Sequence, residues 1–342
     1  MEKAPSPPEL IGQSPVFLDA LAHASAAASV NRPVLIIGER GSGKELLAAR
    51  IHFLSPRWDG PLVKLNCAAM NEELLESELF GHEAGAFTGA SKKHRGRFER
   101  AEGGTLFLDE IASSSQRVQE KLLRVIEYGE FERVGGEQTI NADVRIVAAA
   151  NVDLRASARQ GKFRADLLDR LAFDVVVAPP LRERREDIPV LAAHFANNMA
   201  SELDVQFPGF SVEAMTTLTT HHWPGNVREL KNAAERAMFH WSINSESALV
   251  EKIIIDPFEH AGAPKETSLV LPQSSALTPD KKSPMEDTPM DLRAHLDAIE
   301  KDLVTAALSR NAGNQKRTAE FLSLSYDQMR GLVRKHHLVG TR

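Results

Sequence analysis

Five short, almost uninterrupted apolar runs punctuate the first half of the chain: "RPVLIIG" (32–38), "LVKLN" (62–66), "TLFLDE" (105–110), "VRIVAAAN" (144–151) and "FDVVVAPP" (173–180). Continuous Val, Ile and Leu are the pattern of strands covered on both faces, and amphipathic stretches stand between them. A parallel α/β sheet is therefore predicted. Beyond Pro180 the runs stop and helical periodicity takes over, in "EDIPVLAAHFANNMASEL", "SVEAMTTLTTHHW" and "NVRELKNAAERAMFHW". A small helical subdomain appended to the sheet is expected. From about Pro257 to Met290 the chain is rich in Pro, Ser, Thr and Lys without a sustained apolar period, which predicts a tether. Past the tether, "DLRAHLDAIEKDLVTAALSRN" reads as an amphipathic helix. A short helix, a turn at Ser323 to Ser325 and a second helix follow, in a helix-turn-helix pattern with Ala319, Leu322, Leu324, Met329 and Leu332 as its core.

Composition narrows the class of molecule. The 342 residues, 42% hydrophobic and 26% charged, describe an ordinary soluble globular chain of roughly two to three domains. No window holds the ~18 apolar residues of a bilayer span, and "MEKAPSPPELIG" lacks the apolar core of a signal peptide, so a cytoplasmic protein without membrane insertion is expected. The single cysteine, Cys67, has no disulfide partner and is expected in the core. None of the twelve histidines falls in a pattern such as H-E-x-x-H, so no metal site made of protein ligands alone is proposed. A net charge of −6 argues against a chain coated in nucleic acid, yet the C-terminal end is basic. There Lys316, Arg317, Tyr326, Gln328, Arg330, Arg334 and Lys335 are left to face DNA phosphates and base edges. A helical dimerisation hairpin with a basic face is the alternative, and the two roles can coexist.

The strongest chemical signal is "GERGSGKE" between an apolar strand and the helical "ELLAARIHFL". Strand, glycine-rich loop and helix in that order cradle phosphates: backbone N–H groups converge on the oxygens, and the lysine reaches the terminal ones. Gly38, Glu39, Arg40, Gly41, Ser42, Gly43, Lys44 and Glu45 are thus the candidate ATP-binding residues. Glu45 stands where such loops place a Mg²⁺-ligating Ser or Thr, which puts the metal coordination, though not the phosphate cradle, in question. "GGTLFLDE" delivers Asp109 and Glu110 to the carboxyl end of a strand, the edge where α/β sheets bind ligands. Asp109 is the candidate Mg²⁺ holder and Glu110 the candidate activator of the attacking water. Asn66 and Asn151 close two other strands; either could reach the γ-phosphate, the water or Glu110, and each alone could merely terminate a strand.

Together these elements resemble the AAA+ ATPases over about residues 10 to 258. The resemblance implies an α/β subdomain at 1–180 and a helical lid at 181–258, while composition and helical pattern set off a linker at 259–290 and a helix-turn-helix domain at 291–342. It also implies that Asn151 is a nucleotide sensor, that Arg228 in "WPGNVREL" is a second one on the lid, and that Arg164 and Arg170 in "FRADLLDRL" reach a neighbouring subunit's ATP. A solvated or salt-bridged arginine pair is the plainer alternative, given Asp166 and Asp169 nearby.

One hexapeptide narrows the resemblance further. "GAFTGA", Gly85, Ala86, Phe87, Thr88, Gly89 and Ala90, is similar to the signature of the bacterial enhancer-binding proteins that activate σ54 RNA polymerase. Glycines permit a mobile loop, and Phe87 with Thr88 offers an apolar anchor and a hydrogen-bonding tip, while a loop folded back with Phe87 in the core is the alternative. "GHEA" is expected to continue a helix as the stalk of this loop. "ERVGGEQTI" is read as a hairpin tip around Gly135 and Gly136, a companion loop. The early start of the ATPase region resembles the phage-shock branch of the family, which implies control by phage-shock protein A as a negative regulator. Trp58 in "LSPRWDGP" is a candidate docking point for it, or else is partly buried under its loop. The implied activity is ATP-driven remodelling of σ54 RNA polymerase holoenzyme by an enhancer-bound homo-oligomer, a hexamer by family. A DNA-processing AAA+ motor shares the nucleotide core but has no use for "GAFTGA". A simple DNA-binding repressor would use only the C-terminal unit.

Overall fold

The computed structural model describes residues 7, 9–244, 247–257, 292–311, 314–322, 324–336 and 338. The expected tether at 259–290 and the turn residue Ser323 lie outside them. The chain divides into two compact units, Met1–Lys265 and Glu266–Arg342.

The first unit is built on five parallel strands in the order β2-β3-β6-β1-β7, with β1 at Val34–Ile37, β2 at Leu62–Asn66, β3 at Thr105–Asp109, β6 at Arg145–Ala150 and β7 at Asp174–Val177. Each falls inside one of the five apolar runs. The alternation of the pleat sends Val34 and Ile36, Val147 and Ala149 to one face, against α1 (Pro15–Ala28) and α2 (Lys44–Phe53). Leu35, Ile146, Ala148 and Ala150 go to the other, against α3 (Glu72–Phe80), α5 (Gln116–Tyr128) and α7 (Ala165–Leu171). Cys67 is 1% exposed in this second layer, and burial pushes its thiol up to about 12, so it is an inert core residue. α4 (Arg97–Arg100) and α6 (Leu154–Arg159) complete that face, and β4 (Glu130–Glu132) pairs antiparallel with β5 (Thr139–Asn141) in a hairpin, as the double glycine predicts. The apolar runs do not predict α1, because an alanine-rich helix carries a weak apolar contrast.

α8 (Ile188–Glu202), α9 (Val212–Thr220) and α10 (Asn226–Asn244) form the helical subdomain. Trp223 is fully buried among them, its indole N–H donating to Leu218 O at 2.8 Å. In the second unit the helices Leu292–Arg310, Gln315–Phe321 and Tyr326–Lys335 close on Val304, Leu308, Ala319 and Met329, with Leu322 and Leu332 packed alongside; Leu324 is half-buried. Among the described residues no helix is long and apolar enough to cross a membrane.

Candidate functional site

The glycine-rich loop leaves β1 and enters α2 through Gly43, whose φ of 100° is a left-handed value that glycine alone adopts without strain. Lys44 opens α2 and is 8% exposed, with Nζ donating to the carbonyls of Gly38 and Glu39 at 3.0 Å each. Burial pushes its ammonium below the ordinary lysine range, while the charges of Asp109 and Glu110 oppose the fall. Asp109 ends β3, and burial pushes its carboxyl up while the Glu110 N–H and Lys44 oppose. Its Oδ1 accepts from that N–H at 2.9 Å. Glu110 has a φ of 52°, and Arg40 Nε stands 3.8 Å from its Oε1. Such a half-buried carboxylate beside a buried ammonium fits a site for a polyanion and a divalent cation, since each charge is stabilised by the other's arrival.

Four of the other expected nucleotide residues, Asn66, Asn151, Glu45 and Arg228, border this centre, while Arg164 and Arg170 stand at the start and the end of α7. Asn66 sits in register with Asp109 across β2 and β3, and its Oδ1 accepts from the Ala68 N–H at 2.8 Å. Asn151 follows the interior strand β6 and is exposed. Glu45 is turned toward β2, where its carboxylate takes Lys64 Nζ at 2.8 Å and is 61% exposed. Arg228 stands at the start of α10 with its Cβ near the face of Gly41. Arg164 and Arg170 are both engaged within the chain, Arg164 with Asp166 at 2.7 Å and Arg170 with Glu127 at 2.8 Å.

Sequence reasoning missed the cavity beside this loop. It has a volume of about 110 Å³, is walled by Ile11, Phe17, Leu46, Leu47, Leu191, Phe195 and Val227, and is edged by Ser42, Gly43, Arg184 and His194. The N-terminal segment before α1 is held there by Asp187, whose carboxylate accepts from the N–H groups of Gln13 and Ser14 and from Ser14 Oγ at 2.7 to 2.9 Å. Arg184 is 3% exposed, with its guanidinium 4.5 Å from the Phe17 ring centroid and one Nη donating to Ser42 O at 3.3 Å. The only signal was one of the three arginines between Leu181 and Ile188, Arg182, Arg184 and Arg185, which a reading of surface charge passes over. An apolar slot of this kind opening onto a phosphate loop suits a planar base with its sugar.

The hexapeptide loop follows α3 in the chain. α3 stops at Phe80 because Gly81 takes a φ of 76°, and a Cβ there would lie 2.5 Å from His94 O. "GHEA" is therefore not the expected helical stalk: His82 instead forms isolated bridges with His94 and Val134. Gly85 and Gly89 have φ values of 84° and 103°, and nothing lies within 4 Å of a Cβ on either, so the tip is bounded by two unobstructed hinges. Phe87 is 46% exposed rather than in the core, with its ring edge-on to His82 at 4.9 Å. His82 Nδ1 lies 2.7 Å from Ser77 Oγ on α3. A Cβ on Gly135 would meet Ala86 Cβ at 2.7 Å, so the hairpin tip touches the base of the loop. Trp58 is 60% exposed, which removes the partly buried alternative.

In the second unit all seven expected DNA-facing residues are exposed. Two have work inside the unit. Gln328 closes a capping box with Ser325, its Oε1 accepting from the Ser325 N–H at 2.9 Å, and Lys335 pairs with Asp297 at 2.7 Å and Glu300 at 3.0 Å. The capping box starts the second helix of the motif at the residue where the turn was expected to end.

Three stretches match known families: residues 10–176 the Sigma-54 interaction domain, 182–252 the AAA+ ATPase lid domain, and 295–331 the bacterial regulatory proteins of the Fis family. The chain is 52% identical over 330 residues to the Psp operon transcriptional activator of Escherichia coli (strain K12), covering 96% of this chain and 98% of that one. It is 43% identical over 316 residues to the transcriptional regulatory protein ZraR of the same organism, covering 92% of this chain and 66% of that one. Among solved structures, NtrX from Brucella abortus in complex with ATP superposes with a TM-score of 0.68 at 33% identity, covering 96% of this chain and 70% of NtrX.

Proposed function

This chain belongs to the σ54-dependent transcriptional activators with an AAA+ domain and a Fis-type helix-turn-helix, and from that premise we propose that it couples ATP hydrolysis to opening of the σ54 RNA polymerase complex at enhancer-controlled promoters. The observation that carries this reading is Phe87, half exposed on a loop bounded by two unobstructed glycines, in the same α/β unit as the buried Lys44 and the half-buried Asp109. A large exposed apolar side chain on such a tip needs a client, and σ54 is the one the hexapeptide fits.

In this mechanism the phosphates of ATP rest on the backbone of Gly38–Glu45, Lys44 exchanges its two loop carbonyls for phosphate oxygens, and the base enters the apolar cavity. Asp109 is the residue that would hold Mg²⁺, which neutralises phosphate charge when bound. Glu110, with its carboxylate near Arg40, orients the attacking water, and Asn66, Asn151 and Arg228 sense the nucleotide from two strand ends and the lid. Arg164 and Arg170 serve the neighbouring subunit of a ring. To do so they leave Asp166 and Glu127, and solvent screening makes ion pairs of this kind weak. Assembly can therefore recruit them at little cost. The C-terminal unit holds enhancer DNA through Lys316, Arg317, Tyr326, Arg330 and Arg334, with Gln328 and Lys335 shared between DNA and the unit's own structure.

Similarity to the Psp activator supports phage-shock promoters as the target and phage-shock protein A as the inhibitor, with the exposed Trp58 as its docking point. The test is capture of σ54 by the full chain with and without a transition-state analogue of ATP. Analogue-dependent capture, lost in Thr88→Ala while ATPase activity persists, is the expected result. Capture by Thr88→Ala equal to that of the unaltered chain would sink the loop's role, and DNA unwinding without σ54 capture would favour a DNA-processing motor.

A further inference from the structure

The second residue of the phosphate loop faces two ways. The carbonyl of Glu39 accepts from Lys44 Nζ at 3.0 Å, while its carboxylate takes both Nη groups of Arg182 at 2.7 and 2.6 Å. That is the bidentate geometry in which an arginine and a carboxylate bind most strongly. Asn226 adds a third arm. It is fully buried, its Nδ2 donates to Glu39 Oε2 at 3.1 Å and to Arg40 O at 3.0 Å, and its Oδ1 accepts from the Leu181 N–H at 2.8 Å. Its φ of 54° is a left-handed value that costs energy, and such a conformation persists where surrounding contacts over-determine it. Next to it the Val227 N–H donates to Gly41 O at 3.0 Å, and a Cβ on Gly41 would lie 2.3 Å from Gly225 O. The helical subdomain is thus tied to Glu39, Arg40 and Gly41 at two points, where the chain passes into it at Leu181–Arg182 and at the turn before α10. The Arg182 guanidinium and Asn226 amide hold the Glu39 carboxyl down at about 2, so these contacts persist throughout the ordinary pH range.

We propose that Glu39, Arg182 and Asn226 form a latch that transmits the position of Lys44 to the lid, with Arg182 and Asn226 as positioning residues. The inference rests on the nucleotide reading of the Gly38–Glu45 loop. When phosphate oxygens take the Lys44 ammonium, the Gly38 and Glu39 carbonyls lose their shared donor and the loop tip is free to turn. The Glu39 carboxylate carries that turn to Arg182 and to Asn226, of which Asn226 lies two residues before the expected sensor Arg228. Coupling of this kind is reciprocal, so a displaced lid equally alters the loop's hold on nucleotide. Without the latch the lid no longer discriminates the two states of the loop, and a ligand shifts only an equilibrium whose states it distinguishes.

The test uses the full chain with Glu120→Cys on α5 and Thr216→Cys on α9, both exposed, spin-labelled while the buried Cys67 stays unreactive. Distance distributions are read with and without a non-hydrolysable ATP analogue, beside analogue affinity, KM and kcat. In the otherwise unaltered chain the analogue shifts the distribution. In Arg182→Gln it still binds, within about threefold, but the shift disappears and kcat falls about tenfold while KM changes less. Arg182→Lys keeps the charge without the bidentate fork and is read in the same way should the glutamine variant fail to fold. Binding with an unchanged shift and kcat in these variants overturns the latch alone, as does a lowered unfolding midpoint with the shift intact, the mark of a structural tie. Failure of the unaltered chain to bind the analogue overturns the nucleotide reading and the latch together.

Discussion

His52 shows what a single buried side chain can reveal about this protein. It is fully buried at the end of α2, its Nδ1 2.9 Å from Thr105 Oγ1 at the start of β3. Burial holds the imidazole below the ordinary histidine value and Arg145 adds to the effect, against opposing contributions from the Gly60 backbone and Asp59. A depressed histidine keeps the folded state unprotonated while the unfolded chain takes up its proton, so its contribution to stability is complete above the unfolded value and declines as pH falls below it. The urea midpoint of the unaltered chain should therefore drop more steeply between pH ~7.5 and ~5.5 than that of His52→Gln. Parallel slopes would refute the assignment. Nothing in the sequence distinguishes this histidine from the other eleven, because its burial comes from the closure of α2 over β3 rather than from its neighbours in the chain.

At the scale of elements, the stretch from α3 into the hexapeptide loop is where sequence and structure part. "GHEA" is expected to continue the helix before it as a stalk, yet the chain turns at Gly81 and His82 makes bridges with His94 and Val134. Those partners lie in other segments, and no periodicity within residues 76–90 encodes them. Gly81→Ala should accordingly cost about 1–3 kcal/mol in urea unfolding, since both a left-handed φ and a clash with His94 O oppose the methyl group. Gly85→Ala, with no neighbour to meet, should cost less. Equal losses would mean that the bridge does not fix the base of the loop. The tip, by contrast, is legible in the sequence: two glycines flanking Ala86, Phe87 and Thr88 forecast the exposed turn that the structure contains.

The whole molecule is two compact units, each with its own apolar cluster. A chain ending at Met290 should therefore keep its ATPase activity and lose enhancer binding in a footprinting assay; protection of enhancer DNA by the truncated chain would contradict the placement of DNA binding in the second unit. Within that unit Lys335 is held by Asp297 and Glu300, and Gln328 caps a helix. Replacing either would disturb the fold of the unit together with any DNA contact, which makes Arg317 and Arg330, both exposed, the cleaner probes.

The amino-acid sequence determined the strands, the glycine-rich loop between β1 and α2, the hairpin and the helix-turn-helix, because each is written in local terms. A strand buried on both faces needs a continuous apolar run, a phosphate cradle needs glycines next to a lysine, and a helix start needs a capping residue. Only the tertiary structure decided the strand order β2-β3-β6-β1-β7, the cavity under Arg184, the bridge at His82 and the junction of Glu39 with Arg182 and Asn226. Those partners are 143 and 187 residues from Glu39. Hydrophobic periodicity reports whether a position is buried, and a buried or half-buried polar group must find a partner. Which partner it finds depends on how distant segments close upon one another.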